Sequence, residues 1–147
     1  MLFARNLSNM TKRRLAREYC LQALYLTDAG HLDYQKATII LKELKSELDE
    51  KTAVFADSLL SGALENSENI DSVISKYATN WTIKRMSQVD RCILRLGSFE
   101  LIYVPDIPIA AVIDEAIELA KKYSTDKSSK FINGVLDKIK DERKPRK

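Results

Sequence analysis

Residues 87–105, "SQVDRCILRLGSFELIYVP", limit the fold more than any other stretch. On a helical wheel at about 100° per residue, Val89, Cys92, Ile93, Leu94, Leu96, Phe99, Leu101 and Ile102 go nearly all the way round. A helix that is apolar on every side has to be surrounded by other helices. Ser87 and Asp90 have the S-x-x-D spacing of a capping box at its start, and Pro105 stops it.

The rest of the chain supplies candidates for the surrounding layer. No segment alternates with period two, and no Asn-Gly or Asp-Gly hairpin signal occurs. Only 4 Gly and 3 Pro in 147 residues leave little material for turns. The pattern predicts seven helices. The first runs over Lys12–Ala29, with Thr11 as N-cap and Gly30 as the stop. The next three cover Asp33–Lys45, Asp49–Glu65 and Ile70–Ala78. The connector "YATNWTIKRM" holds the only Trp. The fifth starts at Ser87. The sixth follows "DIP", with Pro108 in its first turn. Its Ile109, Val112, Ile113, Ala116, Ile117, Leu119 and Ala120 form one stripe, with Asp114, Glu118, Lys121 and Lys122 opposite. The seventh covers Ser128–Lys140, capped by Asp126 or Ser128. Gly134 inside it costs about 1 kcal/mol relative to Ala, which predicts close approach of another helix there. Residues 1–11 read as a disordered extension within which Met10 is an alternative start. Residues 12–141 read as a single all-helical domain, and the basic end, 142–147, as a disordered tail.

Several function classes fall away. No apolar run approaches the roughly 20 residues that cross a bilayer, and "MLFARNLSNM" lacks the apolar core of a secretory signal. Cys20 and Cys92 each sit in an apolar helical stretch outside any CxxC pair, as buried reduced thiols of a cytosolic protein do. One His and no His/Cys cluster argue against a metal site. There is no phosphate-binding glycine loop, no G-x-S-x-G and no HExxH. Carboxylates such as Glu115 and Glu118 lie on a polar helix face, so neither an enzyme nor a cofactor is expected.

Charge is distributed unevenly. Residues 1–25 carry five cations against one anion, residues 26–76 five against ten, and residues 77–147 fourteen against ten. A basic face for a polyanion is compatible with this, and so is ordinary solvated surface. Two stretches sharpen the choice. In "TKRRLAREYCLQALY", Leu15, Ala16, Tyr19, Cys20, Ala23, Leu24 and Leu26 fill one half of the wheel, and Arg14, Arg17, Leu21 and Tyr25 fill the other. Cations in line with a tyrosine can pair with phosphates and stack a base. They can equally pair with Glu18 and the acidic middle while Tyr25 packs on a neighbour. Lys12, Arg13 and Arg14 also crowd the electropositive end of their helix, where each costs a few tenths of a kcal/mol. In "STDKSSKFINGV", Phe131 lies at the margin of an apolar face, between Lys127 and Lys130. It is either a core-edge residue or a stacking platform.

Four segments, "AREYCLQALY", "VDRCILRLGSFEL", "DIPIAAVIDEAIELAKKYS" and "KFINGVLDKI", occur in this order and spacing. Together they resemble the NusB family of bacterial transcription antitermination factors over roughly residues 12–140. The resemblance implies two three-helix bundles packed across each other and sharing a buried long helix. It implies a non-enzymatic adaptor that pairs with NusE, the small-subunit ribosomal protein, on single-stranded boxA RNA. The pair then joins the RNA polymerase antitermination complex, supports rRNA operon transcription and aids rRNA maturation. Carried onto this chain, the RNA-contacting residues are Lys12, Arg13, Arg14, Arg17, Tyr25, Gln88, Lys130 and Phe131, and Asp90 is the residue facing NusE.

The chain departs from the family at "STDKS", where Lys127 stands in place of an acid. By charge this favours phosphate contact, so Lys127 joins the RNA set. Two other readings stay open. One is a protein-interaction module in rRNA processing or ribosome assembly that makes no sequence-specific RNA contact. The other is self-association through the stripe on the first helix, forming a homodimer that covers the RNA surface.

Overall fold

The computed structural model describes residues 11–28 and 32–145. The expectations for residues 1–10, for Gly30 as a helix stop and for residues 146–147 lie outside them. Among the described residues every regular element is helical, with eight α-helices and two short 3₁₀ turns. The chain divides into two compact units, residues 1–61 and 62–147.

The first unit holds α1 (Lys12–Thr27), α2 (Tyr34–Ile40), α3 (Lys42–Ser46) and most of α4 (Glu50–Glu65). Thr11 caps α1 as expected, its Oγ1 accepting from the Arg14 N–H at 3.0 Å. The helix predicted over Asp33–Lys45 is broken at Leu41, whose φ of −90° and ψ of 8° leave the helical region. The β-branched run Thr38-Ile39-Ile40 weakens the helix just before the break. The break lets Leu41 and Leu44 both point inward while Ile39 and Ile40 stay exposed. Lys45 ties α3 to α4 through Asp57 at 2.7 Å.

The second unit holds the end of α4, α5 (Ser67–Tyr77), a 3₁₀ turn (Ile83–Arg85), α6 (Gln88–Tyr103), α7 (Ile109–Tyr123), α8 (Asp126–Ile139) and a 3₁₀ turn (Lys140–Glu142). Here α6 is the buried helix that its sequence requires, packed against α5, α7 and α8. Residues 96–102 are all buried. Gly97 allows the approach of α8, because an added Cβ would sit 3.0 Å from a Leu136 methyl. At Gly62 an added Cβ would enter the Phe99 ring. The approach predicted at Gly134 is absent, since a Cβ there would meet nothing within 4 Å.

Residues 142–144 are bonded back onto the second unit, the Lys144 N–H donating to the Ile102 carbonyl at 3.2 Å. Arg143 donates from Nε to the Leu101 carbonyl at 2.7 Å and reaches the carbonyls of Glu100, Val104 and Pro105 at 3.3–3.4 Å. It thereby satisfies the carbonyls at the electronegative end of α6. Glu142 accepts from the Tyr77 hydroxyl at 2.6 Å and from Lys76 at 3.3 Å. Cys20 and Cys92 are buried free thiols.

Candidate nucleic-acid interface

The start of α1 carries the first set of expected site residues. Lys12 Nζ lies 2.6 Å from Asp49 Oδ2. Asp49 also caps α4, its Oδ1 accepting from the Thr52 N–H at 2.8 Å. The hydrogen bond from Lys12, followed by those from Thr52, holds the Asp49 carboxyl well below the usual carboxylate range. The cation placed against the α1 dipole is thus offset by a carboxylate of the acidic middle. The Arg13 guanidinium sits 4.3 Å from the centre of the Phe55 ring, and that of Arg17 sits 5.8 Å away. Both distances are cation–π geometry.

Two expectations for this stripe need correcting. Arg17 and Leu21 were placed with Tyr25 on the half of α1 away from the core, yet each is only 4% exposed. Every residue from Leu15 to Leu24 is buried. A wheel drawn for a helix covered on one side assigned an outside face to a helix covered on all sides. Arg17 therefore braces Phe55 rather than facing solvent. Arg13 and Tyr25 are exposed and Arg14 is partly so. Tyr19, buried beneath the stripe, has its phenol pushed up to about 12, first by burial and then by Asp57.

The second set lies at the start of α8 and in the connector before α6. Thr125, rather than Asp126 or Ser128, caps α8, accepting from the Ser128 N–H at 3.0 Å. At the start of α6 only half of the expected capping box forms. Ser87 Oγ accepts from the Asp90 N–H at 3.2 Å. The Asp90 carboxylate turns away and accepts from the Ser124 and Ser128 hydroxyls, each at 2.8 Å. Asp90 is 8% exposed. Its carboxylate locks the α7–α8 turn onto α6, with both oxygens engaged.

That lock sets the position of Phe131, one turn further along α8. Trp81 of the connector meets Phe131 edge-on, with ring centres 6.4 Å apart at 67°. The two rings line a cleft of about 390 Å³ together with Arg85, Met86, Ser87, Asp90, Thr125, Lys127 and Ser128. They also line a second cleft of about 270 Å³ with Tyr77, Asn80, Lys130, Gly134 and Lys138. Phe131, Lys127 and Lys130 are thus brought together as expected. Gln88, half-buried on α6, lines neither cleft. Trp81 and Arg85 were missed because the connector has no periodicity to read. The one available signal was a lone Trp among polar residues. Among the described residues no group of three or more His, Cys, Asp or Glu converges, and no helix is long and apolar enough to cross a membrane.

Comparison with known proteins places this geometry in context. A family model described as the NusB family matches residues 14–141. The transcription antitermination protein NusB of Elusimicrobium minutum is 50% identical over 136 residues, which are 92% of this chain and 97% of that protein. The Bacillus subtilis protein of the same name is 45% identical over 88% of this chain and 95% of its own length. Among solved structures, NusB of T. maritima aligns with a TM-score of 0.81 at 38% identity, covering 92% of this chain and 94% of that one. A complex described as antitermination factors NusB and NusE with double-stranded RNA contains a chain aligning at 0.81 and 32% identity, over 90% of this chain and 98% of that one.

Proposed function

This chain belongs to the NusB family of transcription antitermination proteins, and from that membership we propose that it is a non-enzymatic, RNA-binding adaptor of the cytoplasm. With NusE it binds the boxA element of nascent RNA and joins the RNA polymerase antitermination complex, supporting transcription of rRNA operons. A solved relative described as NusB and NusE in complex with double-stranded RNA supports NusE and RNA as the two classes of partner.

The observation that carries the reading is the cleft surface at the start of α8. Phe131 is half-exposed there, with Lys127 on one cleft and Lys130 on the other. An aromatic face between cations is what an unpaired nucleotide needs, a surface for its base and a counter-charge for its phosphate. Arg13, Arg14 and Tyr25 add a weaker contribution from the first unit. Lys12 and Arg17 support that surface, through Asp49 and Phe55. Gln88 adds an RNA contact at the start of α6, and Asp90, oriented by Ser124 and Ser128, contacts NusE.

Binding of labelled boxA RNA against a scrambled strand and a duplex, with and without NusE, tests this. Preference for boxA is expected, strongest with NusE; equal affinity for scrambled RNA in both conditions contradicts it. A second reading, a protein-interaction module without RNA contact, draws on the engagement of Lys12, Arg13 and Arg17 inside the first unit. The double variant Tyr25→Ala/Phe131→Ala separates the two. Loss of RNA with NusE binding intact supports the adaptor, and the reverse supports the module.

A further inference from the structure

Trp81 is 48% exposed. An indole left half in water forgoes the burial that usually holds a large aromatic in place. It does not pack flat on Phe131 either, since the two rings meet edge-on. The result is a two-ring partition standing up from the surface, with one cleft on each side. Each cleft holds two cations. Arg85 and Lys127 line the larger, and Lys130 and Lys138 the smaller. The smaller cleft also contains Gly134, where a side chain would project into empty space. A glycine inside a helix with no neighbour to accommodate makes sense if that space has to stay empty.

We infer that the Trp81–Phe131 pair divides a two-nucleotide track: consecutive unpaired bases seat on either side of the partition, and Gly134 keeps the second seat open. The inference rests on the RNA-binding reading above and adds four residues to it. Trp81 is a direct base contact, Arg85 and Lys138 are phosphate contacts, and Gly134 is a spacer. Stacking of this kind tolerates any base, because every base has a π-face. The track therefore accepts single strands and rejects paired bases, and sequence preference has to come from elsewhere on the complex.

The chain has a single Trp, so its emission reports on this spot alone. The unmodified protein is titrated with a short single-stranded boxA RNA while a label on the RNA follows binding by anisotropy. NusE is held constant, and its own emission is subtracted. Emission should be quenched in step with the anisotropy. Trp81→Phe should keep most of the affinity, and Trp81→Ala should lose roughly 5- to 150-fold. Gly134→Leu should cut RNA affinity about tenfold or more without lowering the unfolding temperature.

RNA that binds with unchanged Trp emission overturns the inference and leaves the adaptor reading standing. So does full RNA affinity in Gly134→Leu, or a duplex that binds and quenches as well as the single strand. Absence of RNA binding by anisotropy, with or without NusE, overturns both.

Discussion

The two basic, aromatic regions of this protein contain the same kinds of side chain and use them differently. At the start of α1, Lys12 is paired with Asp49, and Arg13 and Arg17 lie over Phe55. The cations and the ring there are engaged with each other. At the start of α8, Trp81 and Phe131 meet edge-on between two clefts, and the cations line the clefts. Both regions look alike in sequence, as cations interleaved with aromatics. What separates them is whether the protein has already spent the interaction on itself.

Substitutions can break or sharpen this contrast. The largest effect on RNA is expected from Phe131→Ala. It should cost about 1–3 kcal/mol of RNA binding with a smaller change in unfolding temperature, because the ring is only half-buried. Arg17→Ala should behave in the opposite way. Losing its buried stem and its contact with Phe55 should lower stability by about 1–3 kcal/mol. RNA affinity measured well below the melting temperature should change little. If Arg17→Ala weakens RNA binding while stability holds, the first unit is a grip after all and the contrast fails.

Gly134→Ala should raise stability by about 1 kcal/mol, the usual difference between the two residues inside a helix, since the added methyl meets nothing. Thermal unfolding checks this. A loss of stability would mean that another element does approach α8 there.

The pH limits should be set differently at the two extremes. The Tyr19 pKa is raised to about 12 in the folded protein, so its contribution is complete below the ordinary phenol value near 10. It should be lost as pH rises from there towards 12. The Tyr19 hydroxyl is buried without a hydrogen-bond partner. Tyr19→Phe should therefore be neutral or slightly stabilising near pH 7 and should remove part of the alkaline loss. Asp49 and Glu142 are both depressed, Asp49 chiefly by Lys12 and Glu142 chiefly by the Tyr77 hydroxyl. Their contributions are present above the usual carboxylate range and fade as pH falls through their lowered folded values. Both are exposed enough for salt to weaken them. Chemical denaturation from pH 3 to pH 12 follows both limbs.

Much of this was legible in the sequence, for identifiable reasons. The all-round apolar pattern of residues 87–104 admits only a surrounded helix, and α6 is one. Thr11 and Ser87 were readable as caps because each stands alone before an apolar period. The α8 cap was misread because Thr125, Asp126 and Ser128 are all good caps and composition does not rank them. Arg17 was misplaced because a wheel shows directions and not how many layers cover them. Gly134 was misread because a helix-interior glycine has two causes, a neighbour too close for a Cβ or a space that stays open, and a single chain does not distinguish them. Asp90 was seen as half of a capping box, and its other partners, Ser124 and Ser128, are 34 and 38 residues away. No local pattern reports such a contact.

The central claim is that the cations at the start of α8 are available to RNA and those at the start of α1 are largely committed. Paired neutralisation tests it most directly. Affinity for boxA RNA is measured with NusE across a salt series for Lys127→Gln/Lys130→Gln and for Lys12→Gln/Arg13→Gln. The first pair should flatten the log–log salt slope by about 1.4, two phosphate contacts at about 0.7 each, and the second by less than half of that. A larger flattening from the Lys12/Arg13 pair would contradict the account.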